Sequence, residues 1–367
     1  MEKVRVGLIG TSGWVEQMYV PSLASHPAAE VVAVCGRNAD RAGVIATMLG
    51  GARVFADWRV MIAAGGLDAV VIVVPDDLHP AMAEAAAAAG LHVMCEKPLA
   101  NTLPEARAMA AAVDAADVVN LVLFTWRWQP HWRYVKHLVE EGYLGRLLRA
   151  RLSFFENIAF GEGYKWRFDG GRGSGTAGDL GSHMIDMAHW LTGEDVVAVS
   201  ADFRTFADQS AEADPPPLPA SDSCFINLAL EGGAHVLVDV SSASFMADRD
   251  CLVTVELHGE RGTIEGAHRF LGAEAGVTLR GARIGEAGFA DLAVPEEYYA
   301  GGVGRRETFD PYVKQPAGVR AFIDAILAGR KASPDFAEGV RVQRVLEAAK
   351  VSAAEGRVVR IDPGSRT

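Results

Sequence analysis

The stretch VRVGLIGTSGWVEQMYV, residues 4–20, decides the fold. It begins with the apolar run Val4–Ile9, whose one charged residue is Arg5, and then turns at Gly10–Gly13 into a segment rich in apolar residues. An apolar run without strict alternation is typical of a strand buried on both faces, as in a parallel sheet covered by helices. The stretch therefore predicts the first strand, turn and helix of a doubly wound α/β domain.

The same unit recurs over residues 1–124. Short β-branched runs alternate there with alanine-rich segments of helical character. The predicted strands are Val4–Ile9, Val31–Val34, Val54–Phe55, Ala69–Val74, His92–Met94 and Val118–Phe124. The predicted helices are Val15–Ser25, Asp40–Met48, Trp58–Ala64, Pro80–Ala89 and Pro104–Ala115. Right-handed βαβ units in this order predict a Rossmann domain over 1–124, with a doubly wound parallel sheet.

From residue 125 onward the pattern changes to longer, more regular strands with glycine-rich turns. Strands are predicted at Leu147–Phe155, Val196–Phe206, Asp222–Leu230, Ala234–Ala243, Cys251–His258, Gly262–Gly266 and Arg357–Ile361. Helices are predicted at Pro130–Glu141, Gly181–Leu191, Pro316–Ala328 and Ala337–Ala354, and irregular structure at 208–221 and 281–307. We expect an α+β domain over 125–367 with a large, mostly antiparallel open sheet, whose last segment returns to the first domain.

Composition and charge narrow the classes of function. The chain has 367 residues, 50% hydrophobic and 22% charged, which excludes a disordered or fibrous protein. Against 35 Lys and Arg stand 47 Asp and Glu, so the net charge is −12 and no overall positive field attracts nucleic acid or anionic lipid. We therefore expect neither nucleic acid nor a membrane among its partners.

The N-terminus and the cysteines indicate a cellular location. MEKVRVGLIG enters a strand directly, and no apolar run approaches the ~20 residues that span a bilayer. The four cysteines form no C-x-x-C pair, so neither a disulfide framework nor a zinc site is indicated. Cys35 and Cys95 end apolar runs and are expected to be buried. We predict a cytoplasmic protein.

The turn after the first strand is a candidate phosphate-binding turn. Gly10, Ser12, Gly13 and Trp14 stand where a dinucleotide-binding fold has its G-x-G-x-x-G turn, and backbone N–H groups at a helix start bind pyrophosphate. The pattern is incomplete, because Ser12 replaces the second glycine and Val15 the third. The alternative interpretation is a plain turn between strand and helix.

The end of the second strand bears on the cofactor. NAD specificity usually requires an acidic residue there, but Cys35-Gly36-Arg37-Asn38 has none, and the nearest, Asp40, is predicted to cap the next helix. The Arg37 guanidinium suits a 2′-phosphate or stacking on adenine. We predict NADP as the cofactor, with NAD as the alternative, and Gly36 and Arg37 in its site. The competing interpretation of Arg37 is a solvated surface residue.

Two further sequence motifs, together with two supporting segments, indicate a protein family. Glu96-Lys97-Pro98 follows the fifth predicted strand, and GDLGSHMID, residues 178–186, begins a helix. With the Gly10 turn, VPDDLH at 74–79 and the segment 127–145, they make the whole chain resemble the glucose–fructose oxidoreductase / inositol dehydrogenase / MocA (Gfo/Idh/MocA) family of NAD(P)-dependent oxidoreductases. Ser12, Val15 and Asp76 depart from the family pattern.

The resemblance implies hydride transfer between a nicotinamide and a secondary alcohol or ketone of a sugar or cyclic polyol. It implies that Lys97 contacts both cofactor and substrate and is catalytic, because an ammonium stabilises developing alkoxide charge and relays the proton. Glu96 is placed beside it in the cofactor site, where it tunes the charge of Lys97. Pro75 and His79 are placed in the cofactor site, with helix capping as the alternative for His79.

Asp179, His183 and Asp186 are spaced i, i+4 and i+7, so they share one face if the helix includes Asp179. Family analogy makes His183 a proton acceptor or substrate ligand and lets Asp179 bind substrate hydroxyls and orient Lys97. Asp186 either fixes the imidazole tautomer or faces solvent, and His189 is expected to be structural. The triplet also has ligand types for a divalent metal, but no metal is expected, because the resemblance implies none and Lys97 would repel it.

The remaining substrate candidates are aromatic and basic. Arg127, Trp166 and Arg167 are predicted to bind substrate, because aromatic rings stack on sugars and arginine binds hydroxyls. Their neighbours Trp126, Trp128, Tyr164 and Lys165 are weaker candidates, and each tryptophan has core packing as its alternative.

Two other functions stay open at this point. The family also resembles a yeast galactose-pathway repressor, so a non-catalytic NAD(P)- and sugar-sensing regulator is one alternative. A metal-dependent hydrolase or lyase that uses Asp179, His183 and Asp186 is the other. The resemblance further implies a homodimer or homotetramer that acts on a small carbohydrate or polyol.

Overall fold

A computed structural model of the chain describes residues 3–161, 165–207, 218–247, 251–270 and 275–362. These form two compact units. The first contains the described residues up to Trp128, with Gly301–Val303 and Phe309–Gln343; the second contains Gln129–Ala300, Gly304–Thr308 and the described residues from Arg344 on. The chain thus divides after Trp128 rather than after residue 124.

The first unit is built on a six-stranded parallel sheet. Its strands are β1 (Val4–Ile9), β2 (Ala29–Cys35), β3 (Arg53–Phe55), β4 (Ala69–Ile72), β5 (His92–Glu96) and β6 (Asn120–Leu123). The spatial order β3-β2-β1-β4-β5-β6 reverses direction between β1 and β4, the switch point where such sheets bind ligands. The predicted doubly wound sheet is therefore confirmed, with all six strands at the predicted places.

Five helices connect these strands. They are α1 (Val20–Ser25), α2 (Ala39–Met48), α3 (Trp58–Ala63), α4 (His79–Ala88) and α5 (Leu103–Ala115), and a π-helical turn, Val15–Tyr19, leads into α1. Local sequence fixes the helix starts: α5 has a full capping box of Thr102 and Glu105. The Asn38 side chain caps α2 by accepting from the Arg41 N–H at 3.0 Å. The prediction that Asp40 caps this helix was wrong, since Asp40 lies within its first turn.

The second unit is built on a nine-stranded sheet. Its helices are α6 (Pro130–Glu140) and α7 (Ser182–Thr192), and a π-helical turn, Ala177–Gly181, precedes α7. Eight of its nine strands are β7 (Leu147–Glu156), β8 (Val196–Arg204), β9 (Ser223–Leu230), β10 (His235–Ser241), β11 (Cys251–Gly259), β12 (Gly262–Arg269), β13 (Gly276–Arg283) and β14 (Ala290–Asp291), and the ninth lies near the C-terminus. Among the described strands of this sheet only β7 and β10 pair in parallel, which confirms the predicted, mostly antiparallel sheet.

The C-terminal part of the chain contributes helices to the first unit and a helix segment and an edge strand to the second. It contains α8 (Asp310–Lys314), α9 (Val319–Leu327), α10 (Phe336–Glu355) and the edge strand β15 (Val359–Arg360), which pairs with β8. In the first unit the Ser22 hydroxyl donates to the Tyr312 carbonyl at 2.6 Å, and the Tyr312 hydroxyl donates to the Thr125 carbonyl. These buried bonds join the residues around α8 to both α1 and the end of the parallel sheet.

Strands β13 and β14 were missed, because no element was predicted over 267–280 and 281–307 was expected to be irregular. The segment GVTLRGAR has two glycines and two arginines and little intrinsic strand preference. Pairing with β12, from Gly262 opposite Arg283 to Arg269 opposite Gly276, supplies the order instead. Of the predicted irregular loop 208–221, residues 208–217 lie outside the described residues.

All four cysteines are buried free thiols, as expected for Cys35 and Cys95. Burial raises the pKa of Cys35 to about 11 and that of Cys224 to about 12, so both stay protonated at neutral pH. Within the described part of the chain, no helix has the length and apolar character needed to span a membrane.

The second unit also contains a buried histidine pair. The rings of His131 and His268 lie 4.8 Å apart, and both residues are less than 5% exposed. His268 Nε2 lies 3.0 Å from the Thr308 hydroxyl. Burial lowers the pKa of His268 to about 4, and burial together with His268 lowers that of His131 well below its ordinary value.

Replacing Gly10 tests the turn after β1. Gly10 has φ of +125°, and a Cβ atom there would lie 2.0 Å from the Val73 carbonyl oxygen. We expect Gly10→Ala to lower the free energy of unfolding by about 3 kcal/mol or more, measured by denaturant titration. Gly13→Ala is the matched control, since a Cβ at Gly13 meets nothing within 4 Å. Equal stability of the two variants would show that the Val73 carbonyl does not exclude a side chain at position 10.

Acid stability tests the buried histidine. Because the folded pKa of His268 lies below its unfolded value, its contribution is complete above about pH 6.5 and is lost as the pH falls towards 4. Between pH 7.5 and 5 we expect His268 to account for about 2 kcal/mol of the lost stability, so the loss in His268→Gln is smaller than that in the wild type by about this amount. Thermal unfolding at both pH values measures this. His137→Gln is the control, since His137 is exposed and its replacement should leave the pH dependence of stability as in the wild type. If His268→Gln loses as much stability as the wild type between the two pH values, the loss belongs to another group.

Candidate active site

The predicted cofactor residues lie along one edge of the parallel sheet. Gly10–Trp14 follow β1, Gly36 and Arg37 follow β2, Pro75–His79 come shortly after β4, and Lys97 follows β5. The carboxyl ends of parallel strands meet at one edge, which is where doubly wound sheets bind their ligands. The Gly10 N–H donates to the Cys35 carbonyl at 2.9 Å, so the ends of β1 and β2 are in contact.

The glycine turn has the form of an anion cradle. Gly10 packs against the Val73 carbonyl, while Gly13 opens the helical segment with free space where a side chain would stand. Ser12 is exposed, and its hydroxyl accepts from the Val15 N–H at 3.4 Å, so it closes the first turn of the helix. The π-helical turn that follows is a rare form that is frequent at functional sites.

The end of β2 fits the adenosine part of a dinucleotide. Gly36 lies so close to the turn that a Cβ atom would approach the Thr11 methyl to 2.4 Å. Arg37 is exposed and, within the described residues, has neither a hydrogen-bond nor an ion-pair partner. The neighbouring Arg41 is instead bound to Glu16 at 2.6 Å. Arg37 is therefore the guanidinium that is available to a ligand at this strand end.

Glu96 occupies the last position of β5 and is 7% exposed. Its Oε1 accepts from Trp14 Nε1 and from the Tyr19 hydroxyl, each at 2.7 Å, and its Oε2 accepts from the Lys97 N–H at 3.1 Å. Burial, followed by the charge of Glu96, raises the pKa of Tyr19 well above 10. Tyr19 could not be identified as a partner of Glu96 from local pattern, because the contact spans 77 residues.

His79 is fully buried at the start of α4. Its Nε2 lies 3.0 Å from the Val74 carbonyl and its Nδ1 lies 3.1 Å from the Pro98 carbonyl, so the ring joins the chain after β4 to that after β5. Burial lowers its pKa below 6.5, although both carbonyl contacts oppose the shift. Pro75 precedes the short 3-10 turn Asp76–Leu78. Cofactor contacts for Pro75 and His79 stay predictions.

In the second unit, Asp179 lies in the π-helical turn and His183 and Asp186 in α7. The helical segment does include Asp179, as the spacing argument required. His183 is 6% exposed and its ring lies 6.0 Å from that of Phe154. Asp186 is 1% exposed, so the solvent-facing interpretation of it was wrong. His189 Nδ1 lies 2.9 Å from the Glu194 carbonyl at the end of α7.

The structure brings three predicted substrate residues together. The Nε of Arg167 lies 2.8 Å from Asp179 Oδ2, and the Arg167 guanidinium lies over the Trp166 ring at 4.6 Å. Cation, carboxylate and aromatic face thus form one cluster, which we call the Arg167 cluster. Such a cluster offers both hydrogen bonds to hydroxyls and a stacking surface. Tyr164 lies outside the described residues.

Arg127 is placed differently. It lies in a 3-10 turn of the first unit, Thr125–Trp128, and is 7% exposed. Its Nη1 lies 2.6 Å from Glu338 Oε1. Burial opposes the charge of Glu338, but Arg127 and further hydrogen bonds outweigh burial and lower its pKa. This pairing engages the Arg127 guanidinium within the protein.

No group of three or more His, Cys, Asp or Glu side chains that could hold a metal ion is found in the described ranges. This holds for the helix that carries Asp179, His183 and Asp186. The residues of the parallel sheet edge, by contrast, fit a dinucleotide, because they combine an open glycine cradle with an available guanidinium.

Comparison with known proteins agrees with this geometry. Residues 4–124 match the family described as "Oxidoreductase family, NAD-binding Rossmann fold", and residues 132–265 match the "GFO/IDH/MocA C-terminal domain". The chain is 29% identical to a levoglucosan dehydrogenase of Pseudarthrobacter phenanthrenivorans over 97% of each chain. A solved levoglucosan dehydrogenase in complex with NADH and levoglucosan superimposes with a TM-score of 0.85, covering 98% of this chain and 100% of that one.

Two further relatives have other names. A D-apiose dehydrogenase of Paraburkholderia graminis is 30% identical over 72% of this chain and 68% of its own. A D-xylose 1-dehydrogenase (NADP(+)) of Haloferax volcanii is 26% identical over 97% of this chain and 99% of its own. Because both family domains match in order and the similarity extends over nearly the whole length, this chain belongs to the GFO/IDH/MocA family of NAD-binding oxidoreductases, as its motifs predicted.

Proposed function

We propose that the protein is an NADP(H)-preferring dehydrogenase or reductase of a sugar, a cyclic polyol or a related hydroxy compound. The observation that carries the proposal is the sheet edge, where the open Gly13 turn, the available Arg37 and Lys97 follow three strands of one parallel sheet. The names of the relatives, which are dehydrogenases of levoglucosan, D-apiose and D-xylose, support the substrate class.

The cofactor is held by the backbone N–H groups of the turn and by Arg37. The backbone N–H groups at the helix start beside Gly13 would hold the pyrophosphate, and Arg37 would bind the 2′-phosphate. The nicotinamide, when bound, accepts or donates the hydride. The absence of an acidic residue within Cys35–Asn38 removes the usual ligand of an unphosphorylated ribose, which supports NADP(H) over NAD(H).

Lys97 and His183 are the groups that transfer the proton of the substrate hydroxyl. As the alcohol is oxidised, the Lys97 ammonium stabilises negative charge on the substrate oxygen, and the hydroxyl proton leaves by relay through Lys97 or to His183, which otherwise is a substrate ligand. In ketone reduction the same groups return a proton to that oxygen. Asp179 binds substrate hydroxyls, and its ion pair with Arg167 at 2.8 Å orients its carboxylate. The Trp166 face stacks on the sugar ring. Arg127 is left out of this assignment, because Glu338 engages its guanidinium.

The location and assembly of the protein stay predictions. We propose a homodimer or homotetramer, as the family resemblance implies, and the cytoplasm, as the sequence analysis predicted. Size-exclusion chromatography with light scattering of the purified chain measures the assembly directly.

The decisive experiment measures nicotinamide absorbance with a panel of sugars, anhydrosugars, inositols and their oxo derivatives, using NADP(H) and NAD(H). Turnover that favours the phosphorylated cofactor would establish the proposal. Cofactor binding without turnover of any compound would instead favour a sensing protein.

Removing the Lys97 ammonium tests the chemistry. We expect Lys97→Ala to lower kcat by about 10²–10⁴-fold, the usual contribution of an acid–base group, and to leave the cofactor Kd within about threefold, since turn and Arg37 are untouched. Steady-state kinetics and cofactor titration measure the two effects. Lys136→Ala is the matched control, because Lys136 pairs with Glu140 on the surface of α6. A wild-type rate in Lys97→Ala would refute the assignment.

Removing the Arg37 guanidinium tests cofactor preference. A charge-assisted hydrogen bond contributes about 1.5–3 kcal/mol, so we expect Arg37→Ala to raise the Kd for NADPH by about 10–100-fold. The Kd for NADH should change little. Arg41→Ala is the control, since Arg41 is bound to Glu16. Equal losses for both cofactors would show that Arg37 does not bind the 2′-phosphate.

A further inference from the structure

Glu96 differs from the other residues of the sheet edge, because a buried carboxylate there takes three donors. The indole N–H of Trp14 and the hydroxyl of Tyr19 both meet Oε1 at 2.7 Å, and the Lys97 N–H meets Oε2 at 3.1 Å. Hydrogen bonds to a charged acceptor are about twice as strong as neutral ones. These three bonds offset the cost of burying the charge.

The donor pattern requires a carboxylate. A glutamine in place of Glu96 has one acceptor oxygen, and its NH₂ group would face either the Trp14 and Tyr19 donors or the Lys97 N–H. Either orientation leaves a buried donor without an acceptor. Aspartate is one methylene shorter and cannot reach the same three donors without movement of the backbone.

The bonds hold both ends of the π-helical turn. Trp14 immediately precedes this turn and Tyr19 is its last residue, so a single carboxylate oxygen fixes its start and its end. The Trp14 ring also meets the Phe309 ring edge-on, with centroids 5.6 Å apart. The indole is therefore held from two sides, by Glu96 along its N–H edge and by Phe309.

We propose that Glu96 is a positioning residue, a clamp that fixes the turn after Gly13 beside Lys97, and that the Trp14 indole it holds forms a wall of the nicotinamide end of the cofactor site. The second half rests on the proposed function. A Lys97 that reaches the substrate oxygen must lie close to the nicotinamide carbon that exchanges hydride. The Trp14 indole is hydrogen-bonded to Glu96, the residue directly before Lys97. We therefore assign the indole to the nicotinamide end of the site rather than to the adenosine end at Arg37.

The clamp is tested by the indole protons in ¹⁵N NMR spectra of the whole chain. Seven tryptophans give seven indole signals, and Trp14→Phe identifies the one that belongs to Trp14. We expect this proton to exchange with solvent at least tenfold more slowly than an exposed indole and to lose that protection in Glu96→Gln. Exchange at the rate of an exposed indole in the wild type, or unaltered protection in Glu96→Gln, would overturn the clamp.

A second variant keeps the test decisive if Glu96→Gln fails to fold. Tyr19→Phe removes one donor and retains the carboxylate. Since Tyr19 and Trp14 share Oε1, the Trp14 signal must then shift. An unshifted signal in Tyr19→Phe would show that the two donors are not coupled through Glu96.

The wall is tested by adding NADPH or NADH. We expect the Trp14 signal to move on saturation, while the signal of Trp132, buried in the second unit, stays in place. Trp14→Phe should raise the Kd of both cofactors about tenfold and equally, unlike Arg37→Ala. An unmoved Trp14 signal or an unchanged Kd would overturn the wall. If neither cofactor binds the wild type, the proposed function fails and the wall with it, whereas indole exchange still decides the clamp.

Discussion

The close approach of the turn after β1 to the chain after β4 organises the first unit. At Gly10 the backbone passes the Val73 carbonyl with no room for a side chain, and the Gly10 N–H binds the Cys35 carbonyl at the end of β2. This packing brings the ends of β1, β2 and β4 together at the switch point of the sheet. The cradle at Gly13, the available Arg37 and the buried His79 all take their positions from it.

The charged side chains discussed at this edge are either paired inside the protein or exposed to solvent. Buried or half-buried carboxylates are satisfied inside the protein, Glu96 by three donors and Glu338 by Arg127. Arg37 is left exposed at the end of β2. A buried charge must be paired, whereas an exposed guanidinium costs little until a phosphate binds it. The distribution separates charged residues that are paired inside the protein from Arg37, which is exposed.

The two π-helical turns mark the candidate site in both units. One follows the glycine turn and the other carries Asp179. A π-helical turn widens the helix locally and changes the direction of the side chains after it. The i, i+4 spacing of Asp179 and His183 therefore does not place them as in a regular α-helix, and the position of Asp179 is fixed instead by its ion pair with Arg167.

Local sequence determined much of this protein. The run at Val4–Ile9 and the repeated strand and helix units predicted the Rossmann sheet, because a doubly wound sheet depends on local periodicity. The motifs at Gly10, Lys97 and His183 identified the family, and the site roles drawn from them stay predictions. The sequence also anticipated that Cys35 and Cys95 are buried.

Tertiary structure decided the rest. It ordered β13 by pairing, it placed Arg127 against Glu338 across 211 residues, and it joined Trp14 and Tyr19 to Glu96. None of these contacts leaves a local trace, since long-range partners are chosen by packing and by the need to satisfy buried polar groups, not by spacing along the chain.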